Sequence, residues 1–156
     1  MDQLRRTFLK NAGVAGSVMV ALAAGLLKSG EAFAAAWNTS AFSAKKLDEA
    51  MSASGFSGAV ESKNIDIKVP EIAENASVVP VEVSSKIPGT TSMAIFVDKN
   101  PSPLIASFDF MAGAEPFVLT RIKMAQTSMV RIVVKAGGKT YMASKEVKVT
   151  VGGCGG

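Results

Sequence analysis

Period-two alternation governs the chain from Ile65 onward and constrains its fold more than any other feature. In NIDIKVP, Ile65, Ile67 and Val69 alternate with Asp66 and Lys68, and in SVVPVEVSS, Val79, Val81 and Val83 alternate with Pro80 and Glu82. TSMAIFVD is more continuously apolar; LIASFDF places Leu104, Ala106, Phe108 and Phe110 on one side; FVLTRIKM and SMVRIVVKA follow. KTYMASKEVKVTV closes the series, with Val147, Val149 and Val151 facing away from Glu146, Lys148 and Thr150. Side chains on a strand point to alternate faces, so each run reads as a short strand with one face buried. Turn signals separate the seven runs: Pro70 to Ala76, Pro88-Gly89, Asn100 to Pro103, Ala112 to Pro116, Gln126-Thr127 and Gly137-Gly138, the last a hairpin signal. Many short strands at regular spacing predict a mainly β fold, an immunoglobulin-like antiparallel β-sandwich, with an open barrel as the alternative. The immunoglobulin likeness concerns architecture only, because there is no cysteine pair and the single Trp37 precedes the β region.

Ahead of the strands, TSAFSAKKLDEAMSAS predicts one short N-terminal helix over about 40–54. Thr39 or Ser40 would cap its start, Phe42, Leu47, Ala50 and Met51 recur near helical spacing, and Gly55 stops it. Its apolar stripe is read as core packing. Earlier still, Arg5 and Arg6 lead into Thr7-Phe8-Leu9-Lys10, an Ala/Gly-rich apolar stretch and the small residues of Ala32-Phe33-Ala34. This is the layout of a twin-arginine-type export signal over 1–34, cleaved after Ala34 or alternatively after Ala36, which delivers the chain to the periplasm. The apolar stretch is short for a spanning helix and diluted by Gly and Ser. Residues 35–151 are then one β-sandwich domain, and 152–156 a terminal arm.

Charge and inventory narrow the functions. The chain carries a net +4, but residues 35–156 hold 13 Lys+Arg against 11 Asp+Glu, alternating in sign and forming no basic block, so no nucleic-acid footprint is expected. Histidine is absent, which removes the commonest general base and metal ligand. One cysteine makes neither an internal disulfide nor a Cys-rich zinc site, and no Gly-rich loop opens onto a helix. No catalytic residue, metal ligand or cofactor is expected.

The single cysteine, Cys154, sits in the ending VTVGGCGG, flanked by Gly152, Gly153, Gly155 and Gly156. Glycines give a tail without Cβ atoms, and a terminus with no apolar side chain to dock it should be mobile. The expected arm is thin enough to enter a narrow channel with one attachment atom. No cation stands nearer in sequence than Lys148, while the α-carboxylate of Gly156 is close and disfavours a thiolate. Cys154 therefore reads as a point of attachment activated by a partner's site. Other readings of a lone terminal thiol are an interchain disulfide, an incidental free thiol and lipid attachment.

The tail VKVTVGGCGG, the stretch VPEIAENASVVPVEVSSKIPG and the long segment from KNPSPLIASFDF to MASKEVKV together resemble the SoxY family, the sulfur-carrier subunits of the bacterial thiosulfate-oxidising (Sox) system. The resemblance spans essentially the whole of 35–156. It implies an immunoglobulin-like sandwich that pairs with SoxZ, a second small β protein, as a heterodimer. It implies that Cys154 carries sulfur covalently, with no other cofactor. SoxAX, a haem enzyme, would join thiosulfate to it oxidatively as an S-thiosulfonate. SoxB, a metal-dependent hydrolase, would release sulfate and leave a persulfide, and a sulfane dehydrogenase, where present, would oxidise the remaining sulfur. Two further functions stay open on the residues alone. One is a structural β-sandwich that homodimerises through a Cys154 disulfide; the other is a small redox enzyme using Cys154 by itself.

Overall fold

The computed structural model describes residues 37–150, and the fold below is that of the unit beginning at Asn38. Its elements are two short helices, α1 (Thr39–Ser43) and α2 (Leu47–Ala53), followed by nine strands. These are β1 (Val60–Glu61), β2 (Ile65–Lys68), β3 (Ile72–Ala73), β4 (Val79–Ser85), β5 (Thr90–Val97), β6 (Leu104–Asp109), β7 (Phe117–Ile122), β8 (Ser128–Ala136) and β9 (Lys139–Val149). The larger sheet has the order β1-β9-β8-β5-β6, with β3 also paired to β9; the smaller is β2-β4-β7.

The two sheets bury a common core. From the small sheet it takes Ile65, Ile67, Val79, Val81, Val83, Val118 and Ile122; from the large one, Met93, Ile95, Val97, Val130, Ile132, Val134 and Val147. These are the inward positions of the alternation, and burying apolar faces against each other is what holds two sheets together. Seven strands fall on the seven expected runs, and the chain is an immunoglobulin-like β-sandwich. Ladders within both sheets are antiparallel; the exceptions are two-residue β1 and β3, which pair parallel to β9.

Strand β5 explains the continuously apolar run. Met93, Ile95 and Val97 face the sandwich core, while Ala94 and Phe96 face a second cluster with Ala41, Ala50, Phe56, Leu104 and Val133. A strand covered on both faces has no polar side to present. The helices supply the second cover, and they account for the break in the expected 40–54 segment. Phe42 and Met51 both pack on this cluster. In one continuous helix of roughly 100° per residue they would stand about 180° apart, on opposite faces. Extended backbone at Ala44 and Lys46 separates the two pieces and brings both side chains to the same side.

The caps are local chemistry. Asn38, rather than Thr39 or Ser40, caps α1: its Oδ1 accepts from Ala41 N at 3.1 Å, and its Nδ2 donates to Ala53 O at 2.8 Å, tying the start of α1 to the end of α2. Gly55, at φ +73°, ends α2 as expected. The amides of Gly55 and Phe56 return to the carbonyls of Ser52 and Met51, a Schellman closure, and Phe56 then buries its ring edge-on to Phe96.

One side-chain pattern differs from expectation. The β5–β6 register shifts at Ile95/Phe96, where Ile95 lies opposite Ala106 but Phe96 lies opposite Leu104. The extra residue, Ile105, is a β-bulge, and it changes the phase of the strand. Leu104 therefore faces the helices, whereas Phe108 and Phe110 pack on the sandwich core.

Candidate functional site

Cys154, Gly152, Gly153, Gly155 and Gly156 lie outside the described residues, as do Arg5, Arg6 and the whole 1–34 segment. What the structure describes is the platform from which the tail departs, at the end of β9.

Three hydrogen bonds hold the last residues of β9. Lys148 N donates to Glu71 O at 2.9 Å, and Thr150 N to Ala73 O at 3.3 Å, both across the parallel pairing with β3. Between them Val149 N, pointing to the other side, donates to Thr127 Oγ1 at 2.9 Å. Strand β8 begins only at Ser128, so the Thr127 hydroxyl substitutes for the ladder partner that Val149 lacks. The platform is thus fastened on both edges up to Thr150. Val147 is buried in the core beneath it, and Glu146 and Lys148 are exposed.

Asn100 and Ser128 brace the loop that carries Thr127. Asn100 Nδ2 donates to Lys123 O and its Oδ1 accepts from Ala125 N, each at 2.8 Å, locking the β5–β6 turn to the β7–β8 connection. Met124 N donates to Ala76 O, and Lys99 N to Ser128 Oγ. On the outer face of the large sheet, Arg131 grips Asp98 through both Nε and Nη2, at 2.8–3.0 Å. The hydrogen bond with Asp98 raises the pKa of Arg131, partly opposed by desolvation. Asn100 and Thr127 were legible only as turn residues, because the partners that give them a role lie far away in sequence.

The rest of the surface has a different character. A depression beside the platform is lined by Val69, Glu71, Lys145, Glu146 and Lys148, with charges of both signs. At the opposite end of the sandwich a groove between the β4–β5 turn and the 110–116 loop is lined mainly by apolar and small residues, among them Ile87, Phe110, Met111 and Pro116. Its one titratable side chain, Lys86, is paired with Asp66. Of the methionines from Met111 onward, Met124 is buried, Met129 and Met142 are half-buried and Met111 is exposed. Among the described residues no three Asp, Glu, Cys or His side chains gather as a metal site, and no helix is long and apolar enough to cross a membrane.

Comparison with known proteins accords with this architecture. The family described as sulfur oxidation protein SoxY matches residues 52–154. Among solved structures, the sulfur carrier protein SoxY from Chlorobium limicola f thiosulfatophilum is 49% identical, with a TM-score of 0.61 over 68% of this chain and 97% of that one. The superoxide reductase (neelaredoxin) from Ignicoccus hospitalis is 18% identical, with a TM-score of 0.50 over 56% of this chain and 80% of that one, and shares the fold alone. A search of curated proteins returned no match. A sandwich whose final strand is fastened to its last described residue, a family match that continues through Cys154, and a half-identical relative along nearly its whole length lead to one conclusion: the chain belongs to the SoxY family of sulfur oxidation proteins.

Proposed function

We propose that this protein is a non-catalytic sulfur carrier of thiosulfate oxidation, with Cys154 as the point of covalent attachment. The observation that carries the reading is the family match, which reaches Cys154, together with the 49% identity to a sulfur carrier protein. The platform supports it physically. Thr150 is the last residue with a described backbone bond, so Cys154 lies four residues beyond the anchor and can stand at most about 14 Å from it. With glycine at 152, 153, 155 and 156, the thiol is the one side chain of the last five residues. A partner's site needs to admit only backbone and one sulfur atom.

In this reading the chemistry is the partners'. SoxAX would join the Cys154 sulfur to the sulfane sulfur of thiosulfate, the thiol giving up its proton and the pair two electrons, which the haem enzyme would take up one at a time. SoxB hydrolyses the terminal sulfonate to sulfate and leaves a persulfide, which a sulfane dehydrogenase oxidises further where present. The carrier needs no cofactor of its own. It works in the periplasm after export through the Arg5-Arg6 signal and cleavage near Ala34, and it pairs with SoxZ as a heterodimer. Replacing both Arg5 and Arg6 by Lys should leave the chain unexported; normal periplasmic levels would contradict the twin-arginine route.

The test of function is Cys154→Ser in a reconstituted system of carrier, SoxZ, SoxAX and SoxB. Sulfate release from thiosulfate should vanish while the variant keeps the fold and its SoxZ complex. Undiminished sulfate release would overturn the reading.

A further inference from the structure

Sheet edges expose unpaired backbone groups, and among the described residues β7 offers the longest open edge without a bulge. The outer edge of β9 is paired with β1 and β3. Strand β6 carries the Ile105 bulge, with both helices lying against it. Strand β2 is only four residues long and presents Asp66 and Lys68, both in ion pairs. Strand β7 pairs with β4 on one side, in unbroken register over six residues, and among the described residues has no strand on the other.

The direction of its free groups can be deduced. Ser85 N donates to Pro116 O, so position 116 faces β4, and by alternation Val118, Thr120 and Ile122 do the same. The backbone groups of Phe117, Leu119 and Arg121 point to the open edge. Phe117 N is already bonded to Glu115 O, which leaves the amides of Leu119 and Arg121 as donors and the carbonyls of all three as acceptors. The same three residues carry the side chains of the sheet's outer face. Leu119 is 67% exposed and Phe117 43%. On that face Lys68 is paired with Glu82 and Lys86 with Asp66, whereas Arg121 has no ion-pair partner among the described residues.

We infer that β7 is a docking edge on which a strand of a second β chain adds as the fourth strand of the small sheet, with an acidic side chain facing Arg121 and an apolar one facing Leu119. The requirement for an acid comes from the unpaired guanidinium. A second copy of β7, placed antiparallel about Leu119, would set Phe117 opposite Arg121 and supply no counter-charge. The inference rests on the heterodimer reading above and locates that interface.

The test uses the full carrier and the SoxZ chain of the same bacterium, with amide hydrogen exchange read residue by residue. The amides of Leu119 and Arg121 should slow at least tenfold on complex formation, while Phe117, already bonded, stays unchanged. Leu119→Pro removes a donor that points away from β4, so the native ladder survives and affinity for SoxZ should fall at least tenfold. Should Leu119→Pro unfold the chain, Arg121→Glu gives the second measure, with a loss of the same order. A complex that forms at full affinity with Leu119 and Arg121 unprotected overturns the docking edge and leaves the heterodimer intact. No complex at all overturns both. Protection of the two amides in the carrier alone, with a doubled mass in solution, assigns the edge to a second copy and overturns the inference.

Discussion

Thr127 offers one hydroxyl oxygen to the amide of Val149, and that bond closes the side of the platform that has no described strand beside Val149. Thr127→Val keeps the shape and removes the acceptor, so the Val149 amide should exchange faster and stability should fall by about 1 kcal/mol. Deeper in the sheet, Arg131→Met breaks the two-pronged grip on Asp98 and leaves a partly buried carboxylate without its partner. A loss of about 2 kcal/mol in chemical denaturation is expected. Lys68 belongs to the surface, where the hydrogen bond from its ammonium to Glu82 raises its pKa. The stabilisation from a raised lysine is complete below its unfolded value and disappears as pH rises through the folded one. The difference in unfolding midpoint between wild type and Lys68→Met should therefore be constant near neutrality and shrink only above about pH 10. Cys154 stands out as a candidate because composition alone isolates it. Thr127 and Asn100 were legible only as turn formers, because a hydroxyl or amide acquires its role from the residue that folding brings to it.

At the level of elements, side-chain parity is a local property, and the seven alternating runs show it. Gly137 and Gly138 also speak locally: both take positive φ, and Ala136 lies opposite Lys139 across a two-residue turn. Replacing both by Val should destabilise the hairpin by roughly 2 kcal/mol or more, since β-branched residues resist that conformation. Other elements follow from distant partners. Strands β1 and β3 have two residues each, too few for any periodicity, and exist because β9 offers them an edge. The Ile105 bulge reconciles Leu104 under the helices with Phe108 and Phe110 in the sandwich, a conflict invisible until both layers are present. The break at 44–46 has the same origin, because Phe42 and Met51 must reach one cluster.

For the whole molecule, the described residues are held by two apolar clusters on either side of the large sheet and by edge closure of β9, and the full sequence has one thiol, Cys154, so no disulfide within the chain contributes. Its thermal unfolding should accordingly be indifferent to reductant. If Cys154 is the carrier, widening the residues around it should separate reach from chemistry. Gly153→Val with Gly155→Val should leave iodoacetamide labelling of Cys154 near the normal rate but slow loading by SoxAX tenfold or more, equivalent to about 1.4 kcal/mol in the transition state. Equal loading by the two proteins would remove the argument for a thin tail. Whether Cys154 carries sulfur is read from the intact mass of the protein purified from thiosulfate-grown cells, with fragments mapping any added mass. Thiosulfate or sulfane sulfur adducts are expected on the Cys154 peptide, released by reductant. A bare thiol, or a chain of doubled mass joined through Cys154 with no added sulfur, would rule out Cys154 as a sulfur carrier.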